Sequence, residues 1–275
     1  ALATKLAAAE RDGRLPKVVI PVHFAGQPCD MAAIHALAVR YGFRIVEDAS
    51  HAIGARYADT RIGDCRYSDI VVFSFHPVKI ITSAEGGMAL TKDGALARHM
   101  SRLRSHGMTR EPHEMTGPSH GLWYYEQVEL GYNYRLTDMQ AALGLSQLAR
   151  LDEWVRRRHE LADRYDTLLA ELLLDLPVRR SDRHSAMHLY VVRIRDKAPI
   201  DRAALFSRLR DAGVGVNVHY VPVHLQPDYR RFGFAPGDFP ISEAYYRQAI
   251  TLPLYATLDE ADQDRVVSLL KAALA

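Results

Sequence analysis

Cysteine is nearly missing from this 275-residue chain: only Cys29 and Cys65 occur, far apart and without a CxxC pair. That speaks against a disulfide framework and a structural zinc site. It also favours a reducing compartment, so a cytoplasmic location is expected. Long hydrophobic runs are missing as well. No stretch approaches the roughly twenty apolar residues of a membrane span, and the opening ALATKLAAAERDGRLPK does not have the pattern of a signal peptide. Charge of one sign is not in excess. The 35 basic and 33 acidic residues leave +2, far from a nucleic-acid surface. The one tight basic run, Arg156, Arg157 and Arg158, falls in a helical pattern and is expected on a solvated helix face, with phosphate binding as the alternative. There is no internal repeat and no low-complexity tract.

What is present reads as an α/β protein. The apolar runs VVIPVHF (18–24), RIVED (44–48) and DIVVFSF (69–75) are strand candidates, the last with the unbroken hydrophobicity of a strand buried on both faces. Between the first two, Asp30 can cap a helix through Tyr41, with Gly42 placed to end it. Strand, helix, strand in that order argues for βαβ units and a mainly parallel sheet. GMALTK (87–92) adds a strand and GALARHMSRLRSHG (94–107) a helix. Residues 107–122 are rich in Gly, Pro, Ser and Thr and read as a loop. Its His113 and His120 are expected to be unliganded, because no Cys, Asp or Glu stands at metal-ligand spacing.

Thr137 and Gln140 form a capping box at the head of a long helix. Its stripe of Leu145, Leu148, Leu151 and Val155 is expected to carry it into the 160s as a bridge between two domains, 1–150 and 151–275. The second domain reads as a compact α+β module: a strand at 188–194, a helix at 202–212, a strand ending at NVHY (217–220), and a last helix capped by Thr257 with Glu260.

Lys79, in FSFHPVKIITSAEGG, is the residue whose place asks for a reason. An ordinary lysine is exposed and structural. Here Ser74 lies five residues upstream, at the end of a buried strand, and Asp48 ends RIVED at the same kind of strand end. The carboxyl ends of parallel strands are where open α/β sheets place ligands. A lysine that bonds a cofactor aldehyde, with an aspartate keeping a pyridine nitrogen protonated, is the arrangement pyridoxal phosphate chemistry requires. The two glycines of EGG would let backbone approach closely.

Three separated motifs, EDASHAIGA, SFHPVKIITSAEGG and LGYNYRLTDMQAALGLSQL, resemble in content and order the sugar aminotransferases of the DegT/DnrJ/EryC1/StrS family, from about Pro16 to the end of the chain. Within it, RSHGMTR, WYYEQVELGYNYRLTD and VHYVPVHLQPDY most resemble the UDP-4-amino-4,6-dideoxy-N-acetyl-β-L-altrosamine transaminases of pseudaminic acid synthesis. The transaminase that makes UDP-4-amino-4-deoxy-L-arabinose is the runner-up. The resemblance implies a fold-type I transferase that uses pyridoxal 5′-phosphate, with 1–150 as a three-layer large domain and 151–275 as a bridging helix and small domain. It implies transfer of an amino group from glutamate to the C4 ketone of a UDP-4-keto-6-deoxy-N-acetyl hexose.

Residue by residue, the resemblance makes Lys79 the lysine that bonds the cofactor and shuttles the proton, and Asp48 the partner of the pyridine nitrogen. His51 becomes the residue lying against the ring, and Ser74 a ligand of the phosphate. Asn133 would reach the phosphate of a neighbouring subunit's cofactor, implying a homodimer with composite sites. His219, Tyr220, Val221 and Pro222 would meet the nucleotide sugar, together with Ser74 and Asn133. His76 either borders the site or packs at the strand end; Arg135 either touches substrate phosphate or forms an ion pair; His23 is expected in a shaped turn. Relatives begin roughly a hundred residues earlier, a difference larger than ragged ends. The chain is therefore expected to be N-terminally incomplete and to hold the cofactor weakly, and the contrasting reading is a non-catalytic family member.

Overall fold

The computed structural model of the protein describes residues 1–274, which form two compact units. The first comprises residues 1–23, 28–53 and 59–150; the second comprises 24–27, 54–58 and the described residues from 151 onward.

In the first unit the order is α1 (Leu2–Arg11), β1 (Val18–Val19), α2 (Met31–Tyr41), β2 (Arg44–Asp48), β3 (Ile70–Ser74), β4 (Gly87–Leu90), α3 (Gly94–Arg104) and α4 (Asp138–Leu148). The sheet runs β1-β2-β3-β4, with the first three parallel and β4 antiparallel to β3. Pro21 shortens the first strand. It has no N–H to give a ladder, so pairing stops at Val19. Its carbonyl still accepts the Asp48 N–H at 2.9 Å, and Val22 makes a lone parallel bridge to Asp48. Helix α2 starts where Asp30 Oδ1 accepts the Ala33 N–H at 3.3 Å and stops at Gly42, which takes the left-handed conformation at φ +75°.

Strand β2 alternates: Ile45 and Glu47 are buried, while Val46 and Asp48 are half-buried. Its register sets Val46, Glu47 and Asp48 beside Ile70, Val71 and Val72. Side chains alternate along a strand, so Asp48, Val72 and Ser74 share one face of the sheet and Glu47, Val71 and Phe73 the other. Ile45, Ala49, Val71, Phe73, Phe75 and Ile81 form much of this unit's core.

The second unit is built from α5 (Leu151–Leu169), β5 (Leu174–Asp175), β6 (Tyr190–Ile194), α6 (Arg202–Asp211), α7 (Pro240–Gln248), β7 (Ala249–Leu252) and α8 (Glu260–Leu274). An antiparallel sheet in the order β7-β6-β5 carries the helices. Its core gathers Leu161, Tyr165 and Leu169 of α5 with Tyr190, Val192, Leu205, Leu209, Ile250 and Leu270.

Several sequence expectations need correction. The long helix is two helices: α4 begins with the expected capping box but ends at Leu148, and α5 starts at Leu151. Leu145 and Leu148 are exposed whereas Leu151 and Val155 are buried, so the stripe is not one continuous face. Ala149 and Arg150 both favour helix, so the break reflects packing rather than propensity. NVHY is not a strand. Only Asn217 pairs with Thr251, after which the Val218 N–H turns to Asn217 Oδ1 at 2.8 Å and leaves the ladder. Helix α8 is capped by Asp259, whose Oδ1 accepts the Asp262 N–H at 2.7 Å, rather than by Thr257.

The arginine run also divides. Arg156 and Arg157 pair with Glu160. Arg158 is buried on the apolar side of α5, where its Nη1 donates to the carbonyl oxygens of Met187, His188 and Leu254 at 3.3, 3.2 and 2.8 Å.

Candidate active site

Asp48 closes β2 at the carboxyl edge of the parallel strands. Its N–H donates to Pro21 and its carbonyl accepts the His23 N–H at 3.0 Å, so both backbone groups are committed to the sheet edge. The side chain is left to work elsewhere: Oδ1 accepts the Ser50 N–H at 3.0 Å. On the opposite face, Glu47 is buried in a network of its own. The Cys29 N–H donates to His23 Nδ1 at 3.1 Å, which leaves the proton on Nε2 for Glu47 Oε2, 2.7 Å away. The Ser68 hydroxyl donates to the other Glu47 oxygen. His23 therefore belongs to the buried frame that holds this strand end, as its place in a shaped turn suggests.

Lys79 follows β3 on a turn whose backbone is closed by the Lys79 N–H on the His76 carbonyl at 2.9 Å. The amine is half-buried, and burial pushes its pKa below the ordinary lysine value. The charge of Asp48 acts in the opposite sense and raises it. An amine and a carboxylate from neighbouring parallel strand ends thus share one electrostatic field.

Ser74, on the same face as Asp48, is half-buried and accepts the His76 N–H at 3.4 Å. His51 is buried three residues beyond Asp48. His76 itself is exposed, 3.9 Å from Glu85, so it does not pack into the strand end. The EGG glycines do allow close approach: a Cβ on Gly86 would lie 2.3 Å from Ser83 Oγ, and one on Gly87 would lie 2.8 Å from the Phe73 carbonyl oxygen.

Other expected site residues belong to other segments of the chain. Asn133 is exposed on a segment bridged to Ser105, and Arg135 beside it is exposed too. His219, Tyr220, Val221 and Pro222 belong to the second unit. There, His219 Nδ1 lies 2.7 Å from Thr251 Oγ1, Tyr220 presents half of its surface edge-on to the Phe24 ring, Val221 is exposed and Pro222 is buried. His113 and His120 are exposed, and no group of three His, Cys, Asp or Glu gathers as a metal site among the described residues. Nor is any described helix long and apolar enough to cross a membrane.

Sequence reading missed the supports of the Lys79 turn. The Thr82 N–H donates to Gln147 Oε1 at 2.9 Å and Gln140 Nε2 donates to the Glu85 carbonyl at 3.0 Å, tying the turn to α4. A polar residue on an amphipathic helix gives no signal of such a role; only the small Gly144 and Ser83 facing each other hint at close packing there.

The donor set fits a pyridine aldehyde phosphate. A half-buried amine driven toward neutrality can react with the aldehyde, the adjacent carboxylate can hold a ring nitrogen's proton, and a hydroxyl on the same face can donate to phosphate. The model of the DegT/DnrJ/EryC1/StrS aminotransferase family matches residues 4–271. The chain belongs to that family.

A curated relative, the spore coat polysaccharide biosynthesis protein SpsC of Bacillus subtilis, is 40% identical over 255 residues, 91% of this chain and 65% of SpsC. The chain thus spans somewhat less than two thirds of that relative's length. The PMP form of Spr1654 of Streptococcus pneumoniae superposes with a TM-score of 0.84 at 30% identity, covering 94% of this chain and 69% of Spr1654. Helicobacter pylori PseC, an aminotransferase of pseudoaminic acid biosynthesis, superposes with a TM-score of 0.86 at 28% identity, covering 95% of this chain and 67% of PseC. The fold of this family member is accordingly the type I fold of pyridoxal-phosphate transferases.

Proposed function

We propose that this family member carries the catalytic residues of a pyridoxal 5′-phosphate-dependent aminotransferase acting on a nucleotide sugar. The observation that carries this reading is the Lys79 amine, lowered in pKa by burial and opposed by the charge of Asp48 at the end of the neighbouring parallel strand. Support comes from family membership and from the PLP and PMP forms in which Spr1654 is known. Lys79 and Asp48 would hold the cofactor with Ser74 at its phosphate and His51 beside its ring. When bound, the cofactor supplies an electron sink for bond changes at the carbon that bears the amino group.

The chain's own residues do the rest. Asp48 keeps a proton on the ring nitrogen, where its negative charge favours the protonated form. The Lys79 amine would hold the cofactor's aldehyde and would serve as the general base and acid that moves a proton at the substrate carbon. Ser74 donates to the phosphate, and Asn133 of a second copy would complete the phosphate's ligands, which makes the working unit a homodimer. His219, Tyr220, Val221 and Pro222 would contact the sugar nucleotide.

The substrate reading is a UDP-4-keto-6-deoxy-N-acetyl hexose aminated at C4, with glutamate as donor. The likeness to PseC and the resemblance of RSHGMTR and VHYVPVHLQPDY support it. A coupled glutamate assay tests it: faster amination of that hexose than of a UDP-4-keto-pentose is expected. Equal or reversed rates would instead favour the 4-amino-arabinose type of transaminase.

A further inference from the structure

The turn that carries Lys79 is held at its base and along its far side by named contacts. Phe75 closes its base: the Phe75 N–H donates to the Gly86 carbonyl at 2.8 Å, and the Phe75 carbonyl accepts the Ser83 N–H at 3.0 Å and the Thr82 hydroxyl at 2.8 Å. Ile80 and Ile81, directly after Lys79, are buried and anchor the backbone on that side. The next backbone donor, the Thr82 N–H, has no strand or helix partner. It is taken at 2.9 Å by the side-chain oxygen of Gln147, which projects from the last turn of α4 sixty-five residues away. Helix α4 packs directly on the turn here: a Cβ on Gly144 would sit in ordinary van der Waals contact, 3.5 Å from the Ser83 Cβ. Ser83 in turn is fully buried.

We propose that Gln147 is a positioning residue for Lys79: its amide oxygen holds the Thr82 N–H and thereby fixes the far side of the lysine turn to α4. The inference rests on the reading of Lys79 as the cofactor amine and assigns a further residue to that site. Its physical content is a balance of two conformations. With the Thr82 N–H held, the turn stays down, the two isoleucines stay packed and the amine stays half-desolvated beside Asp48. Without an acceptor, a part-buried N–H is unsatisfied, and the turn gains by lifting to reach water. Lifting hydrates the ammonium and weakens the burial that lowers its pKa.

The substitution that separates these states is Gln147→Leu, which keeps the bulk and removes the acceptor. Gln147→Glu keeps an acceptor oxygen at the same reach. The readout is the cofactor-free chain, labelled with acetic anhydride across a pH series and analysed by mass spectrometry at Lys79. In Gln147→Leu the midpoint of Lys79 labelling is expected to rise. Labelling near neutral pH should then fall on the order of threefold or more, which is what half a pH unit in the midpoint produces. Gln147→Glu should restore slow amide exchange at Thr82.

A folded Gln147→Leu whose Lys79 midpoint and labelling rate match those of the unmodified chain overturns the proposal. Should Gln147→Leu fail to fold, amide exchange in the unmodified chain decides: the Thr82 N–H is expected to be protected like the backbone of α4, and exchange at the solvent rate overturns the proposal. An unmodified Lys79 with the midpoint of an ordinary exposed lysine removes the functional reading beneath it. A lowered midpoint that Gln147→Leu leaves unmoved removes only the role of Gln147.

Discussion

The guanidinium Nη1 of Arg158 stands 2.8 Å from the carbonyl oxygen of Leu254, deep in the second unit and with two further carbonyls in reach. Burial pushes its pKa down to about 10, so it remains charged at neutral pH. Through Nη1 this buried cation joins α5 to the backbone at Met187, His188 and Leu254, while its Nε is buried without a partner. Arg158→Met would strand these three acceptors and is expected to destabilise the second unit by about 1–3 kcal/mol. Urea unfolding at pH 7 checks this; an unchanged midpoint would contradict it.

Asp48→Asn separates electrostatics from catalysis. The charge of Asp48 raises the Lys79 pKa while burial lowers it, so removing the charge leaves burial unopposed. The Lys79 labelling midpoint should therefore fall, and labelling near neutral pH should speed up. Turnover, in contrast, should drop by orders of magnitude under the proposed role of Asp48 as holder of the ring-nitrogen proton. The sign for stability follows from the same shift. A lysine whose folded pKa lies below 10.5 holds fewer protons folded than unfolded between those two values. Stability should rise with pH across that window. A variant with parental turnover would make Asp48 merely structural.

The buried pair of His23 and Glu47 frames the strand end without touching its chemistry. Glu47→Leu leaves the His23 Nε2–H and the Ser68 hydroxyl without their acceptor and is expected to cost about 1–3 kcal/mol for each buried donor left unpaired. Thermal unfolding measures this. A loss much below that range would mean the pair is dispensable to the frame.

Much of this was legible in the sequence, and the reasons differ by element. Asp30 and Gly42 bracket α2 because a side-chain cap and a left-handed residue are local devices, written within a few residues of where they act. DIVVFSF takes a central place beside RIVED because an unbroken apolar run has few other homes. VVIPVHF was overread: one proline outweighed the pattern around it. Arg158 was misread because a triplet of arginines looks solvated, and nothing local marks the third as facing three carbonyls that arrive from distant chain. Gln147 was silent for the same reason. Motif similarity drew Asp48, Ser74 and Lys79 together, and the register of β2 with β3 supplies the physical basis.

Helix α4 and the segment before it expose Leu130, Tyr134, Met139 and Leu145, at 89, 72, 83 and 70%. The proposed homodimer, with Asn133 reaching across it, would be expected to cover them. Met139→Glu combined with Leu145→Glu is expected to convert a dimer to a monomer in sedimentation at micromolar concentration, since a charge at the centre of an apolar interface is left unpaired. A species of unchanged mass would place the contact surface elsewhere.

The most direct test of the account is chemical capture. Mixing the chain with pyridoxal 5′-phosphate, reducing with borohydride and mapping the labelled peptide asks which amine the cofactor takes. The expected result is label on the peptide containing Lys79, lost in Lys79→Ala and absent from Lys5, Lys17, Lys92, Lys197 and Lys271. Label on one of those lysines, or equal labelling in Lys79→Ala, would contradict the assignment.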